Sequence, residues 1–261
     1  MRKDYHMHPT VIQNPARFDE FAQVAIDRHI EEVCITDHMP LSVSDAADRI
    51  YAGRVADYCR AVREAAKRWE GRLKVKCGIE IDFHPDFMDE INAVLDAGEF
   101  DYILASSHMH VFLTPEQQSR YTWDEFAEMA LENLSRAVDT GLFSAVAHFD
   151  MYRWCFTVPD RFPLIPSEYD AEKHMHLIKP LLEKIAEKDL RMEINTNLAV
   201  KHEGDLRWMY PEESILKMAL DMPIRFSYGS DAHSPQNVGI LLDELEAHPV
   251  YGRALAKWEN E

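Results

Sequence analysis

The chain opens Met1-Arg2-Lys3-Asp4-Tyr5-His6-Met7-His8 and, near its other end, runs Ile224-Arg225-Phe226-Ser227-Tyr228-Gly229-Ser230-Asp231-Ala232-His233. In an extended strand alternate side chains share a face. His6 with His8, and Asp231 with His233, therefore each point two metal-ligand types in one direction. Each pair sits at the end of an apolar run. The pairs are about 225 residues apart and can meet only if the fold closes on itself. The expectation is a barrel with a metal site at one mouth.

Working inward from both ends, strand-like and helical patterns alternate. After the first strand come apolar segments at about 31–36, 73–81, 101–106, 143–147, 190–195 and 224–230. Helical patterns fall at about 15–29, 46–69, 85–96, 123–140, 169–187, 211–220 and beyond Pro235, with Gly141 marking one helix end. That makes about seven βα units. Regular alternation implies a parallel sheet, here closed or nearly closed into an α/β barrel. A length of 261 residues is what such a barrel uses as one unit. No repeat, linker or low-complexity tract divides residues 1–261, so a single domain is expected.

Composition narrows the function. Hydrophobic residues make up 46% of the chain, ample for a large core. No apolar run approaches the roughly 20 residues of a membrane span, and no signal peptide precedes the first strand, so a soluble cytoplasmic protein with no membrane partner is expected. The net charge of −18 argues against a nucleic acid polymer as partner. It leaves room for a small anionic substrate, because cations in one pocket reverse the local field. Only nine glycines are present and no glycine-rich phosphate loop is found. Cys34, Cys59, Cys77 and Cys155 lack C-x-x-C spacing and read as free thiols, most of them in or beside apolar runs.

The ends of the strands carry the chemistry. In order they read His6 and His8; Thr36-Asp37-His38; Glu80 with Asp82; Ser106-Ser107-His108 with His110; His148 with Asp150; Glu193-Ile194-Asn195; and Ser230-Asp231-Ala232-His233. In α/β barrels the functional face lies at the C-terminal ends of the strands. Thirteen histidines placed at random would not end nearly every strand in an imidazole or an acid. Imidazole and carboxylate without thiolate suits Zn²⁺, Mn²⁺ or Fe²⁺. Eight ligands, His6, His8, His38, Glu80, His108, His148, Asp231 and His233, exceed the needs of one ion, so a shared carboxylate would spread them over two or three.

These motifs, H-x-H, T-D-H, G-I-E-I-D, S-x-H, A-H-F-D, E-I-N-T and G-S-D-A-H-S-P, occur in the order seen in the polymerase and histidinol phosphatase (PHP) superfamily, which the chain resembles over essentially its whole length. G-I-E-I-D and the last two motifs look most like the histidinol-phosphatase branch. The resemblance implies a distorted (β/α)7 barrel, a trinuclear metal centre and action on phosphate esters. It places His6, His8, Glu80 and Asp231 around a first ion and makes Glu80 the bridge to a second held by His108 and His148. His38 and His233 go to a third. The family usually has another histidine six residues after H-x-H, where this chain has Asn14, so the third ion is expected to be held weakly. The stretch after His108, and Leu198-Ala199-Val200-Lys201 after E-I-N-T, also depart from the family's usual loops, the second where an arginine is more usual.

The chemistry that follows is hydrolysis of a phosphomonoester, with L-histidinol phosphate as the substrate the resemblance favours. A hydroxide bridging two ions is the expected nucleophile. Arg153 and then Lys201 are the candidate cations for charge developing on phosphorus, with Asn195 and His110 as further substrate-binding residues. His233 and Asp231 are candidate proton donors to the leaving alkoxide. Asp82, His110 and Asp150 share strand faces with ligands and are candidate orienters of imidazoles. His29, His84, His174, His176, His202 and His248 read as helix-end, core or loop residues, and residues 258–261 as a frayed end. Competing readings are a related phosphoesterase for a nucleotide or cyclic phosphate, an amidohydrolase, and a non-catalytic metal-binding barrel. The amidohydrolase reading lacks a bridging lysine, and the intact ligand set argues against the inert barrel. The oligomeric state is open.

Overall fold

The computed structural model describes residues 1–39 and 52–259. Its strands are β1 (Arg2–Asp4), β2 (Ile30–Ile35), β3 (His38–Met39), β4 (Lys74–Asp82), β5 (Tyr102–Ser106), β6 (Ala145–Val146), β7 (Arg191–Asn195) and β8 (Arg225–Gly229). The order is β1-β2-β4-β5-β6-β7-β8, every pairing is parallel, and the two-residue β3 lies against β4. Seven strands thus form the ring, as the alternation predicts, and β3 is an addition that two residues could not announce.

The ring closes between its first and last members. Tyr5 donates its amide to the Tyr228 carbonyl at 2.9 Å, Asp231 to His6 at 2.8 Å, and His8 to Ala232 at 2.9 Å. The H-x-H and D-x-H pairs are therefore zipped side by side at the same end of the barrel. Asp4 reinforces the seam, since its buried carboxylate accepts from the amides of Ser230 and Gly239 at 2.9 Å each.

The helices are α1 (Arg17–Asp27), α2 (Val55–Trp69), α3 (Met88–Ala97), α4 (Pro115–Gln118), α5 (Trp123–Thr140), α6 (Met175–Glu187), α7 (Asn197–Lys201), α8 (Glu213–Leu220), α9 (Leu242–Ala247) and α10 (Tyr251–Glu259). Positions 46–51 of the helix expected at 46–69 lie outside the described residues. α5 matches its expected span because both ends are written in sequence. Thr122 and Glu125 form a capping box, and Gly141 stops the helix at φ +69°, a conformation glycine adopts without penalty.

The core lies between sheet and helices. Val33, Ile79, Leu104, Val146, Met192 and Phe226 from the strands are wholly buried against faces such as Phe18, Phe21 and Ala22 of α1. Each such side chain contributes about 1.5–3 kcal/mol. All four cysteines are buried and free. Trp258, expected at a frayed end, is instead 3% exposed under the N-terminal end of the barrel, because its ring packs edge-on against Tyr5. No helix among the described residues is long and apolar enough to cross a membrane.

Candidate metal centre

Glu80 stands on β4 with its side chain wholly buried at the C-terminal mouth of the barrel. Its two oxygens face different partners. Oε2 lies 3.2 Å from His6 Nε2, 3.4 Å from His8 Nε2 and 2.8 Å from His38 Nδ1. Oε1 lies 2.9 Å from His148 Nε2 and 3.9 Å from His108 Nε2. Asp231 Oδ1 comes within 3.2 Å of His8 Nε2 and 3.8 Å of His6 Nε2. His233 stands beside them, its ring 4.5 Å from that of His8. Seven candidate ligands from five other strand ends are thus gathered about one acid.

Within this set several groups of three can each close on a single ion. They include His6, His8 and Glu80; Glu80, His108 and His148; and His8, His38 and His233. His8 falls into both the first and the third, stacking on His38 at 4.0 Å. The third group is the open one, with 33% of the His38 side chain and 56% of His233 exposed. Asn14 takes no part in it as placed: its side chain accepts from the Ala16 amide at 3.2 Å.

Several of these atoms want a cation. His6 Nε2, both ring nitrogens of His8, Glu80 Oε2 and Asp231 Oδ1 are buried and make no hydrogen bond. Orphaned buried polar atoms are costly, and a convergent set of lone pairs is what a divalent ion satisfies. Electrostatics agrees. Burial opposes ionisation of Glu80, but His38 and His6 hold its carboxyl well below the usual range. Asp231 is likewise held low, against burial, chiefly by His6. Burial, reinforced by His38 and His233, drives His8 well down. His6 is raised well above its ordinary value, because Glu193 and Glu80 outweigh its burial. His38 rises to about 9 against burial, chiefly through Glu80. Both shifts favour the protonated rings of His6 and His38, so a cation binding there competes with protons. Nitrogen and oxygen donors without thiolate fit zinc, manganese or iron.

A second ring of residues aims the ligands. Glu193 Oε1 lies 2.6 Å from His6 Nδ1, while Oε2 accepts from the His148 amide at 2.8 Å and from Asn195 Nδ2 at 3.0 Å. Asp82 Oδ1 lies 2.6 Å from His108 Nδ1, as its place on the strand face suggests. Gly229 leaves the room for this, since a Cβ there would come within 1.9 Å of Glu193 Oε1 and 2.6 Å of His6 Cβ. Two ligands sit in left-handed backbone, Asp231 at φ +52° and His148 at φ +24°. Such strain is held where surrounding structure fixes it, and it clusters at functional sites. The part of Glu193 was missed in the sequence, although its place at a strand end was plain.

The expected substrate groups fare differently. Arg153 is 2% exposed and pairs with Asp150 at 3.0 Å while donating to the carbonyls of Met209 and Arg207 at 2.6 Å each. Its two terminal nitrogens are engaged in structure, and Asp150 partners that guanidinium and the Glu212 amide in place of an imidazole. Asn195 is wholly buried and donates to Glu193, with Asp231 Oδ2 at 3.5 Å, so it braces the site from behind. Lys201, ending α7, is exposed. The His110 ring stacks on Trp154 at 4.5 Å, and burial together with His108 and Arg161 pushes its pKa down to about 3.

Known proteins are similar to this chain. The family model described as "PHP domain" matches residues 4–197. A probable histidinol-phosphatase of Deinococcus radiodurans is 28% identical over 97% of this chain and 95% of its own. A histidinol-phosphatase of Bacillus subtilis is 24% identical over 91% of this chain and 96% of its own. The crystal structure of histidinol phosphate phosphatase from Lactococcus lactis, complexed with zinc, L-histidinol and phosphate, superposes with a TM-score of 0.71 at 17% identity, covering 99% of this chain and 93% of that one. With three quarters of its length inside the matching model, this chain belongs to the PHP domain family.

Proposed function

We propose that this chain is a metal-dependent phosphomonoesterase that hydrolyses L-histidinol phosphate to L-histidinol and phosphate, using two or three zinc, manganese or iron ions. The observation that carries the reading is the division of Glu80, whose two oxygens face separate sets of imidazoles. Relatives named for this activity run nearly end to end with the chain. Divalent ions held there supply an activated water and neutralise charge on the phosphoryl oxygens.

The chain's own groups do the rest. Glu80 fixes the spacing of the two ligand sets. Glu193 and Asp82 fix the rings of His6 and His108, so little reorganisation accompanies reaction. As candidate proton donor to the departing alkoxide we take His233, more than half exposed and with Nδ1 3.0 Å from the Asp231 carbonyl, at turnovers in which the outer position holds no ion. Lys201 offers an exposed ammonium to the phosphate, and the neutral His110 can accept a hydrogen bond from the substrate amine or imidazole.

A panel of phosphate monoesters assayed with the metal-loaded protein tests the reading. The largest kcat/KM is expected for L-histidinol phosphate. A larger value for a nucleotide or sugar phosphate would overturn the substrate while leaving the reaction class, and no turnover of any ester with zinc, manganese or iron would overturn both.

A further inference from the structure

We infer that Arg17 is a phosphate-binding cation on the outer side of the metal centre, gripping the phosphoryl oxygens of the substrate beside His8, His38 and His233. The inference rests on the phosphatase reading, and it assigns a charge that Arg153, paired with Asp150, does not bring.

Arg17 opens α1 and reaches over the rim of the barrel. Its Nη1 donates to Thr10 Oγ1 at 2.9 Å and its Nη2 to the His233 carbonyl at 2.7 Å. Thr10 stands two residues beyond His8. The guanidinium therefore spans from the loop after one outer imidazole to the backbone of another. The Thr10 hydroxyl donates its own proton to the Pro9 carbonyl at 2.7 Å, which leaves its lone pairs to hold the arginine. The guanidinium carbon also lies 5.8 Å over the buried Phe21 ring, one turn along the same helix. Three contacts thus fix a planar cation at the open edge of the site.

That cation is not neutralised. Two of its five N–H donors are engaged, and neither acceptor carries a charge. It forms no ion pair among the described residues. Asp37, which feels its charge, has both oxygens on the amides of Thr10 and Val11, at 2.9 Å each. An arginine held in place with free donors is preorganised to meet a phosphoryl group through paired N–H bonds. Its partial exposure leaves the approach open. The outer group consists of three imidazoles with no carboxylate of its own. Arg17 keeps positive charge on that side whenever the outer ion is lost.

Inorganic phosphate titrated by calorimetry into the zinc-loaded protein tests this, with metal content measured on the same samples. Arg17→Gln should weaken phosphate binding about 10–100-fold and raise KM for L-histidinol phosphate in step, with kcat changing less. Arg17→Lys keeps the charge but loses the fork, and should recover part of both. Removing the outer ion with dilute chelator should widen the gap between wild type and Arg17→Gln. A mere staple between Thr10 and His233 would lower stability or metal content and leave phosphate affinity per loaded site unmoved, and that result overturns the proposal. So does a wild-type protein that binds no phosphate at millimolar concentration, or a gap that vanishes once the outer ion is gone. If no ester is turned over while phosphate binding still depends on Arg17, the phosphatase reading fails and the anion contact stands. If Arg17→Gln does not fold, Arg17→Lys decides, and wild-type phosphate affinity in that variant sinks the paired contact.

Discussion

Glu193 and His6, 187 residues apart in sequence, meet at 2.6 Å between a carboxylate oxygen and Nδ1 once the barrel closes. That contact sets which nitrogen of His6 faces Glu80 and Asp231. The other Glu193 oxygen holds the His148 amide, so one acid disciplines ligands on both sides of the Glu80 bridge. A carboxylate behind a metal-bound imidazole also raises its basicity as a ligand.

Glu193→Gln keeps the shape of the side chain and removes its charge. Metal affinity is expected to fall about 10–100-fold, with kcat falling alongside and the fold intact. Competition with a chromophoric chelator measures the first, and circular dichroism the last. Wild-type affinity in the variant would show that Glu193 is a bystander.

Gly229→Ala tests the same contact from the other side. The added methyl would sit within 1.9 Å of Glu193 Oε1, a distance no side chain tolerates, so Glu193 must move away from His6. Overpacking of this kind costs about 1–3 kcal/mol, and the loss of metal should resemble that of Glu193→Gln. Urea denaturation gives the first quantity and elemental analysis the second. The double variant is expected to bind metal no worse than the weaker single one, because both act through one contact.

How far the sequence leads is clear from these residues. The seven strands and their chemistry were legible because ligands end strands at a period of two, as His6/His8 and Asp231/His233 do. Gly141 marked the end of α5, and the capping box of Thr122 and Glu125 accounts for its start. Glu193 was not assigned a role because its partner lies across the closed barrel, and no local pattern encodes that pairing. The two-residue β3 was too short to leave a period. Arg153 misled for a different reason. A cation just beyond a ligand strand suggests a phosphate contact, but its spacing of three from Asp150 was equally the signature of a pair within one helical turn.

That correction makes a prediction of its own. Arg153→Ala leaves the Asp150 carboxylate buried and unpaired, and breaking such a pair costs about 3–5 kcal/mol. Two carbonyls also lose their donor. The variant should therefore lose stability heavily, while whatever remains folded at low temperature keeps the wild-type KM. A raised KM with unchanged urea midpoint would restore Arg153 to the substrate.

Exposure predicts the order in which ions leave. The group of His8, His38 and His233 is the open one, whereas Glu80, His6 and His148 are almost wholly enclosed. Dilute chelator should strip the outer position first and quickly, then the two inner ones slowly and together, because both depend on Glu80. Metal release followed over time should show those two phases, and His233→Ala should erase only the fast one. Glu80→Ala should erase the slow phase and all turnover. Full stripping should lower the melting temperature, since ions bound at 100–1,000 times their Kd stabilise the folded state by about 2.7–4.1 kcal/mol per site. A single release phase in the wild type would mean that open and enclosed ligands hold their ions alike, and the Glu80-centred division of the site would be wrong.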